Sequence, residues 1–328
     1  MKVHTAFLAA FAAGFAASGT AEARRMSAES AAALPPSSLV SAFCAVGGFD
    51  YLIRANNFEA LRDLALWCPG GHATAAHALA ESGGLADEEW TVREKTIDAL
   101  GAQVLALMEQ EPEASDLVVD VIERLVRTLD EDKNTVIRLD AARALTDLLL
   151  ASLSTSDGTA DHCLDALTRS VSKDRVGILR AGVVDLLGKL AVDSLKAGHR
   201  DFIEDLQATF RDVMSKDSEM SVRLKGVTAL RRLASAALHR HEDIAEECIA
   251  VFATVGLKDR EMEVRMEVVN AISDIALSAR RQHLAVEEQA VEALELAMKD
   301  KASHVSHNAY TTLVGLGLRD SSHEGPAL

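Results

Sequence analysis

The sequence predicts an all-α chain: a right-handed α-α superhelix of about six stacked helical pairs. Three observations predict it. First, an Asp followed six residues later by an Arg recurs at Asp87/Arg93, Asp132/Arg138, Asp174/Arg180, Asp217/Arg223 and Asp259/Arg265, and Asp300/Ser306 keeps the Asp alone. The Arg-to-Arg steps are 45, 42, 43 and 42 residues, and Ser306 lies 41 further on. A fixed period of this length marks a stacked repeat, which grows by adding layers around no single central core. Second, hydrophobic residues make up 48% of the chain and aromatics only 4%. Burial therefore falls to Ala, Leu, Val and Ile, which suits thin helical layers and argues against a large aromatic-lined pocket. Third, five prolines in 328 residues leave room for long helices.

Taken in order, residues 1–23 have the pattern of a secretory signal. Lys2 gives a positive start, an apolar run over residues 6–17 holds Phe7, Leu8, Phe11 and Phe15, and Ala21-Glu22-Ala23 supplies small residues at a cleavage site. The expectation is a cleaved signal peptide ending at about residue 23 and a secreted or periplasmic mature protein. The apolar run is far short of the ~20 residues that a membrane span needs. Arg24-Arg25 follows that run, so it is no twin-arginine signal. Residues 24–38, with Pro35-Pro36, predict a flexible lead-in. Residues 39–71 hold two weak helical patterns, one broken at Gly47-Gly48 and the other ended by Pro69-Gly70-Gly71. They predict a degenerate cap over the open first layer. Residues 72–319 carry the repeats, and 320–328, without apolar period, predict a disordered tail.

Within each repeat the register specifies two helices. Counted from the Arg, positions +3, +4 and +7 are Thr96, Ile97, Leu100; Ala141, Ala142, Leu145; Val183, Val184, Leu187; Gly226, Val227, Leu230; and Val268, Val269, Ile272. From Ser306 they are Ala309, Tyr310 and Leu313. These offsets put three side chains on one face of a helix that follows the Asp. Ahead of the Asp, Leu125, Leu167, Phe210 and Phe252 sit at −7, and Leu129, Val171 and Met214 at −3, again on one face. Polar or Gly-containing joints are predicted at 152–160, 197–200, 239–243 and 278–283.

The unit resembles the HEAT repeat. Asp87 with Val92-Arg93, Asp132 with Ile137-Arg138, Asp174 with Leu179-Arg180, Asp217 with Val222-Arg223 and Asp259 with Val264-Arg265 match its turn Asp and the Val-Arg that opens the second helix. The likeness covers roughly 80% of the mature chain on period and pattern. It implies paired antiparallel helices and a second helix lining a concave wall. It says little of function, since HEAT-like proteins include scaffolds, transport receptors, regulatory subunits and a few bacterial bilin lyases. Ser306-His307, in place of the Arg-led start, fits a terminal cap.

The recurring Asp can accept hydrogen bonds from backbone N–H groups at the start of the second helix. The Arg can offer its fork of donors to a carboxylate of its own or the neighbouring repeat. Stacking would build these ten residues into a structural ladder, a role that five regular copies favour over a single active site.

Formal net charge is −16, and stays −16 after cleavage at residue 23, with 33 basic and 49 acidic residues left. Such a chain repels phosphate backbones and anionic membrane surfaces, so no nucleic acid is expected as partner. Cys163 and Cys248 each lie eleven residues before a repeat Asp and predict core thiols too far apart to pair. Cys44 and Cys68 could bridge in an oxidising compartment, and two buried free thiols explain them equally well. Among the eleven histidines, His239/His241, His72/His77 and His304/His307 are the candidate metal ligands, and none has a Cys or carboxylate at a recognised spacing. No phosphate loop, nucleophile elbow or zinc-protease motif occurs, so no catalytic residue, cofactor or metal is assigned.

Outward positions on the second helices are the candidate partner-binding face: Arg143, Asp147, Asp185, Lys189, Lys225, Arg232, Glu267, Asn270 and Asp274. Their mixed signs suit a protein or peptide partner. The functional expectation is a non-enzymatic, exported, monomeric scaffold that binds such a partner along this face. The rivals are a HEAT-like enzyme or enzyme accessory of the bilin-lyase kind, and an intracellular assembly factor.

Overall fold

The computed structural model describes residues 72–110, 115–153 and 158–320. The expected signal peptide, lead-in, cap and Cys44/Cys68 pair lie outside the described residues, as does the tail from residue 321. Twelve α-helices and two short 3-10 turns are described, with no strand among the described residues.

The helices fall into six pairs: α1 (His72–Glu81) with α2 (Trp90–Gln110), α3 (Ser115–Glu131) with α4 (Thr135–Ser152), α5 (Thr159–Lys173) with α6 (Gly177–Ala197), α7 (Arg200–Lys216) with α8 (Met220–Ala237), α9 (Glu242–Thr254) with α10 (Met262–Gln282), and α11 (Val286–Ala297) with α12 (Ser303–Gly315). The chain divides into two compact units, residues 1–166 and 167–328, with the boundary inside α5.

In the first unit α2 packs on α4 and α1 on α3, so second helices stack on second helices and first on first. In the second unit α6, α8, α10 and α12 form the same kind of series, and α9 packs on α11. The core of each unit is the seam between its two series. Leu125, Leu167, Phe210 and Phe252 are fully buried there, each contributing about 1.5–3 kcal/mol of transfer free energy. Of the +3, +4 and +7 residues all are buried except Tyr310, which is half-buried on the last helix and donates its hydroxyl to the Asp320 carbonyl at 2.8 Å.

Small residues set how closely second helices approach. A Cβ at Gly188 of α6 would lie 2.8 Å from the Ala229 Cβ and 3.1 Å from its Cα on α8. The helix ends use local chemistry. α6 stops at Gly198, in the left-handed conformation with φ 88°, where the N–H groups of Gly198 and His199 close back on Leu195 and Ser194. The joint expected at 278–283 is helical to Gln282, and the reversal is confined to His283, with φ 57°. Arg280 and Arg281 favour a helix C-terminus, so their polarity marks an exposed last turn rather than a break.

Candidate functional site

In four of the pairs the Arg bonds the turn Asp of the layer that follows. Each of the six aspartates accepts, through Oδ1, the backbone N–H two residues on: Glu89, Asn134, Val176, Glu219, Glu261 and Ala302, at 2.7–2.9 Å. This closes the turn before the helix instead of capping its first turn, because the helix starts three residues after the Asp. The Arg then reaches the Asp of the next layer. Arg93 donates Nε and Nη2 to the two carboxylate oxygens of Asp132 at 2.7 and 3.1 Å. Arg180 does so to Asp217 at 2.8 and 2.8 Å, Arg223 to Asp259 at 2.6 and 2.9 Å, and Arg265 to Asp300 at 2.6 and 3.0 Å. Nη1 of the same guanidinium donates to the carbonyl of its own turn Asp, at 2.7 Å from Arg93 and 2.8 Å from both Arg138 and Arg180. Asp174 thus anchors its turn through the bonds to Val176 and from Arg180.

These fork-to-fork pairs are buried, so each carboxylate needs the partners it has. Burial works to raise the Asp217 and Asp300 carboxyls. The Arg180 and Arg265 bonds and one backbone N–H each outweigh it, holding both below the usual carboxylate range. Each fork ties one layer to the next through a buried ion pair.

The outward face of the second helices is different in kind. In the second unit its side chains are linked from helix to helix, with Asp185, Lys225, Arg232, Glu267 and Asn270 half-buried and Lys189 and Asp274 exposed. Asp185 on α6 is met by Lys189 at 3.0 Å, and from α8 by Lys225 at 3.3 Å and Arg232 at 3.0 Å. Burial alone would raise the Asp185 carboxyl, but the three cations hold it down at about 2. Arg231 of α8 turns the other way, to Glu267 at 3.1 Å and Asp274 at 3.7 Å on α10. Asn270 bonds Glu267 and receives Asn308 of α12 at 2.6 Å. The result is a polar belt across four successive helices. A groove of about 440 Å³ opens in it, lined by Lys189, Val192, Asp193, Arg231, Arg232, Ser235 and Asp274.

On the first unit's outward face Arg143 bonds Asp140 Oδ1 at 2.6 Å, while Asp140 Oδ2 is buried without a hydrogen-bond partner. Desolvation pushes Asp140 and Asp147 above the usual carboxylate range, against the pull of Arg143. Desolvation and the Asp140 charge do the same to Glu94 on α2. The face therefore changes character along the chain: short of cations on α2 and α4, cross-linked by them on α8.

The belt contains every residue assigned to the face in the second unit, and it adds Arg231 and Asn308, which sequence reasoning missed. Arg231 stands at +8 from the repeat Arg, beside the +9 position of Arg232, so a template fixed at one outward offset passes over it.

Cys163 and Cys248 are fully buried, and burial pushes the Cys248 thiol up to about 12. Among the described residues no group of three or more His, Cys, Asp or Glu is placed to hold a metal ion. His304 is exposed, and His307 is half-buried with its ring centroid 6.5 Å from that of Tyr310.

The fold is a HEAT-like helical repeat. The paired helices, the turn Asp and the buried Arg that opens five of the six second helices define it. No family model and no curated protein matches the chain. Among solved structures, yeast importin-beta (Kap95p) aligns with 85% of this chain over 35% of its own, at 15% identity and a TM-score of 0.49. A designed armadillo repeat protein aligns with 73% of this chain over 98% of its own, at 18% identity and a TM-score of 0.37. An engineered protein aligns with 85% over 96% of its own, at 20% identity and a TM-score of 0.30. Among the described residues no helix is long and apolar enough to cross a membrane.

Proposed function

We propose that the protein is a binding scaffold, exported through the leader at residues 1–23, that holds a protein or peptide partner along the outward face of its second helices. The observation that carries this reading is the belt of the second unit. Its residues bond across α6, α8, α10 and α12, so the polar groups are pre-positioned before any partner arrives. The ladder supports the same reading by a different route, since layers fixed by buried forks present their outer side chains at constant spacing.

The test is retention of the partner by tagged full-length protein. Charge reversal on the face, Lys189→Glu with Lys225→Glu, should abolish retention. Charge reversal at Lys216 and Lys258, exposed where the first helices end, should leave it intact. Loss of retention in the second variant and not the first overturns the assignment of the face.

A further inference from the structure

We propose that the groove on the outer faces of α6, α8 and α10 takes a carboxylate-bearing segment, so that the partner is met through an acidic stretch of its chain. This rests on the reading of the belt as the binding face, and names the chemistry of what it binds.

Charge in the second unit is sorted by helix. α8 carries Arg223, Lys225, Arg231 and Arg232 and no acidic residue. Arg223 is spent in the ladder, so three cations are left to the outer face. α9 carries Glu242, Asp243, Glu246 and Glu247 without a basic residue, and α11 carries Glu287, Glu288, Glu292 and Glu295 without one. On a chain of net charge −16, an acidic segment is repelled from α9 and α11 and admitted where α8 reaches the surface.

The groove fits such a segment. Lys189, Arg231 and Arg232 supply its cations, and Val192 and Ser235 its uncharged lining. Of its two acids, Asp193 is taken up by Lys196 at 2.9 Å, and Asp274 stands 3.7 Å from Arg231. Asp185 serves as a resident reporter of the local field. Although desolvation opposes it, its carboxylate stays ionised down to about pH 2 beside Lys189, Arg232 and Lys225. A second carboxylate entering between Lys189 and the two arginines meets these cations together with the Asp185 charge, so it is drawn in by the donors Asp185 leaves unused. Arg232 bonds Asp185 through Nη1, and Arg231 meets Glu267 through Nη1. A guanidinium has five donors in a rigid fork, so each can accept a further carboxylate without releasing the first.

The experiment is fluorescence anisotropy of the full chain with three labelled probes: an alternating Glu-Ala peptide, its Gln-Ala counterpart and its Lys-Ala counterpart. The Glu probe should bind saturably and weaken as salt rises, and the Gln probe should not bind. R231A/R232A should weaken the Glu probe at least about tenfold. Lys189→Ala should weaken it too, and serves if the double variant fails to fold. E246Q/E247Q on α9 should bind as the unaltered chain does. A Glu probe that does not bind, or binds equally well to R231A/R232A and Lys189→Ala, or a tighter Lys probe, overturns the proposal. If the native partner is lost on charge reversal at Lys189 and Lys225 but the Glu probe is not bound, the acidic-segment claim fails and the face stands. If the partner ignores that reversal, the face itself is wrong.

Discussion

Asp217 and Asp140 have side chains only 7% and 10% exposed, yet their carboxylates respond to burial in opposite ways. Asp217 is held below the ordinary range because the Arg180 fork and the Glu219 N–H more than offset desolvation. Asp140 rises above it because one bond from Arg143 does not, and one of its oxygens has no partner. Neutralising them should therefore have opposite consequences. Asp217→Asn or Arg180→Ala should cost about 1–3 kcal/mol, the loss of a buried charged hydrogen-bond partner. Asp140→Asn should leave the urea midpoint unchanged or raise it. The pH dependence follows with matching signs. A depressed carboxyl contributes stability above its unfolded value of about 3.9 and loses it as pH falls through the folded one. The penalty of Asp217→Asn should accordingly be full at neutral pH and fade toward about pH 3. A raised carboxyl binds its proton more tightly when folded, so its cost appears as pH climbs past the unfolded value. Any gain from Asp140→Asn should thus be larger at neutral pH than at about pH 4. Urea titrations at the two ends of each window check both, and equal penalties for Asp217→Asn at both ends would contradict the ladder energetics.

At the scale of helices, close packing gives a separate prediction. A methyl group at Gly188 meets the Ala229 side chain and backbone, neither of which can swing aside, so α6 and α8 must separate. Gly188→Ala should cost about 1–3 kcal/mol, as overpacking does. At Gly177 the nearest obstruction is the flexible Glu219 side chain, 2.8 Å away, so Gly177→Ala should move the midpoint far less. Thermal or urea midpoints of the two variants decide it. This level of organisation was largely legible in the sequence. Offsets of +3, +4 and +7 named the buried face of each second helix, and Asp-to-Arg spacing located each turn, because both are consequences of helical period. What could not be read was direction across layers. Arg180 could have turned to its own repeat or to the neighbour, and only the stacked backbones bring Asp217 within 2.8 Å. Arg231 was passed over for the same reason: whether +8 or +9 faces outward depends on how α8 is rolled between α6 and α10. The 3-10 turns at Gly84–Ala86 and Gly256–Lys258, ahead of Asp87 and Asp259, likewise follow from how tightly each pair closes.

At the scale of the whole molecule, an address and a binding surface are proposed. The proposed address is the leader pattern at residues 1–23. N-terminal sequencing of the mature protein should begin at about Arg24 in a periplasmic or secreted fraction, and a chain starting at Met1 in the cytosol would end the export claim. The proposed binding surface is the belt of second helices in the second unit, to which the structure joins Arg231 and Asn308. It is tested most directly by crosslinking the protein to its co-purified partner with an amine-reactive reagent and mapping the modified lysines. Lysines of the belt, Lys189 and Lys225, and those where the first helices end, Lys216, Lys258 and Lys299, are all within reach of solvent. The account predicts intermolecular crosslinks at Lys189 and Lys225. Crosslinks confined to Lys216, Lys258 and Lys299 would contradict it.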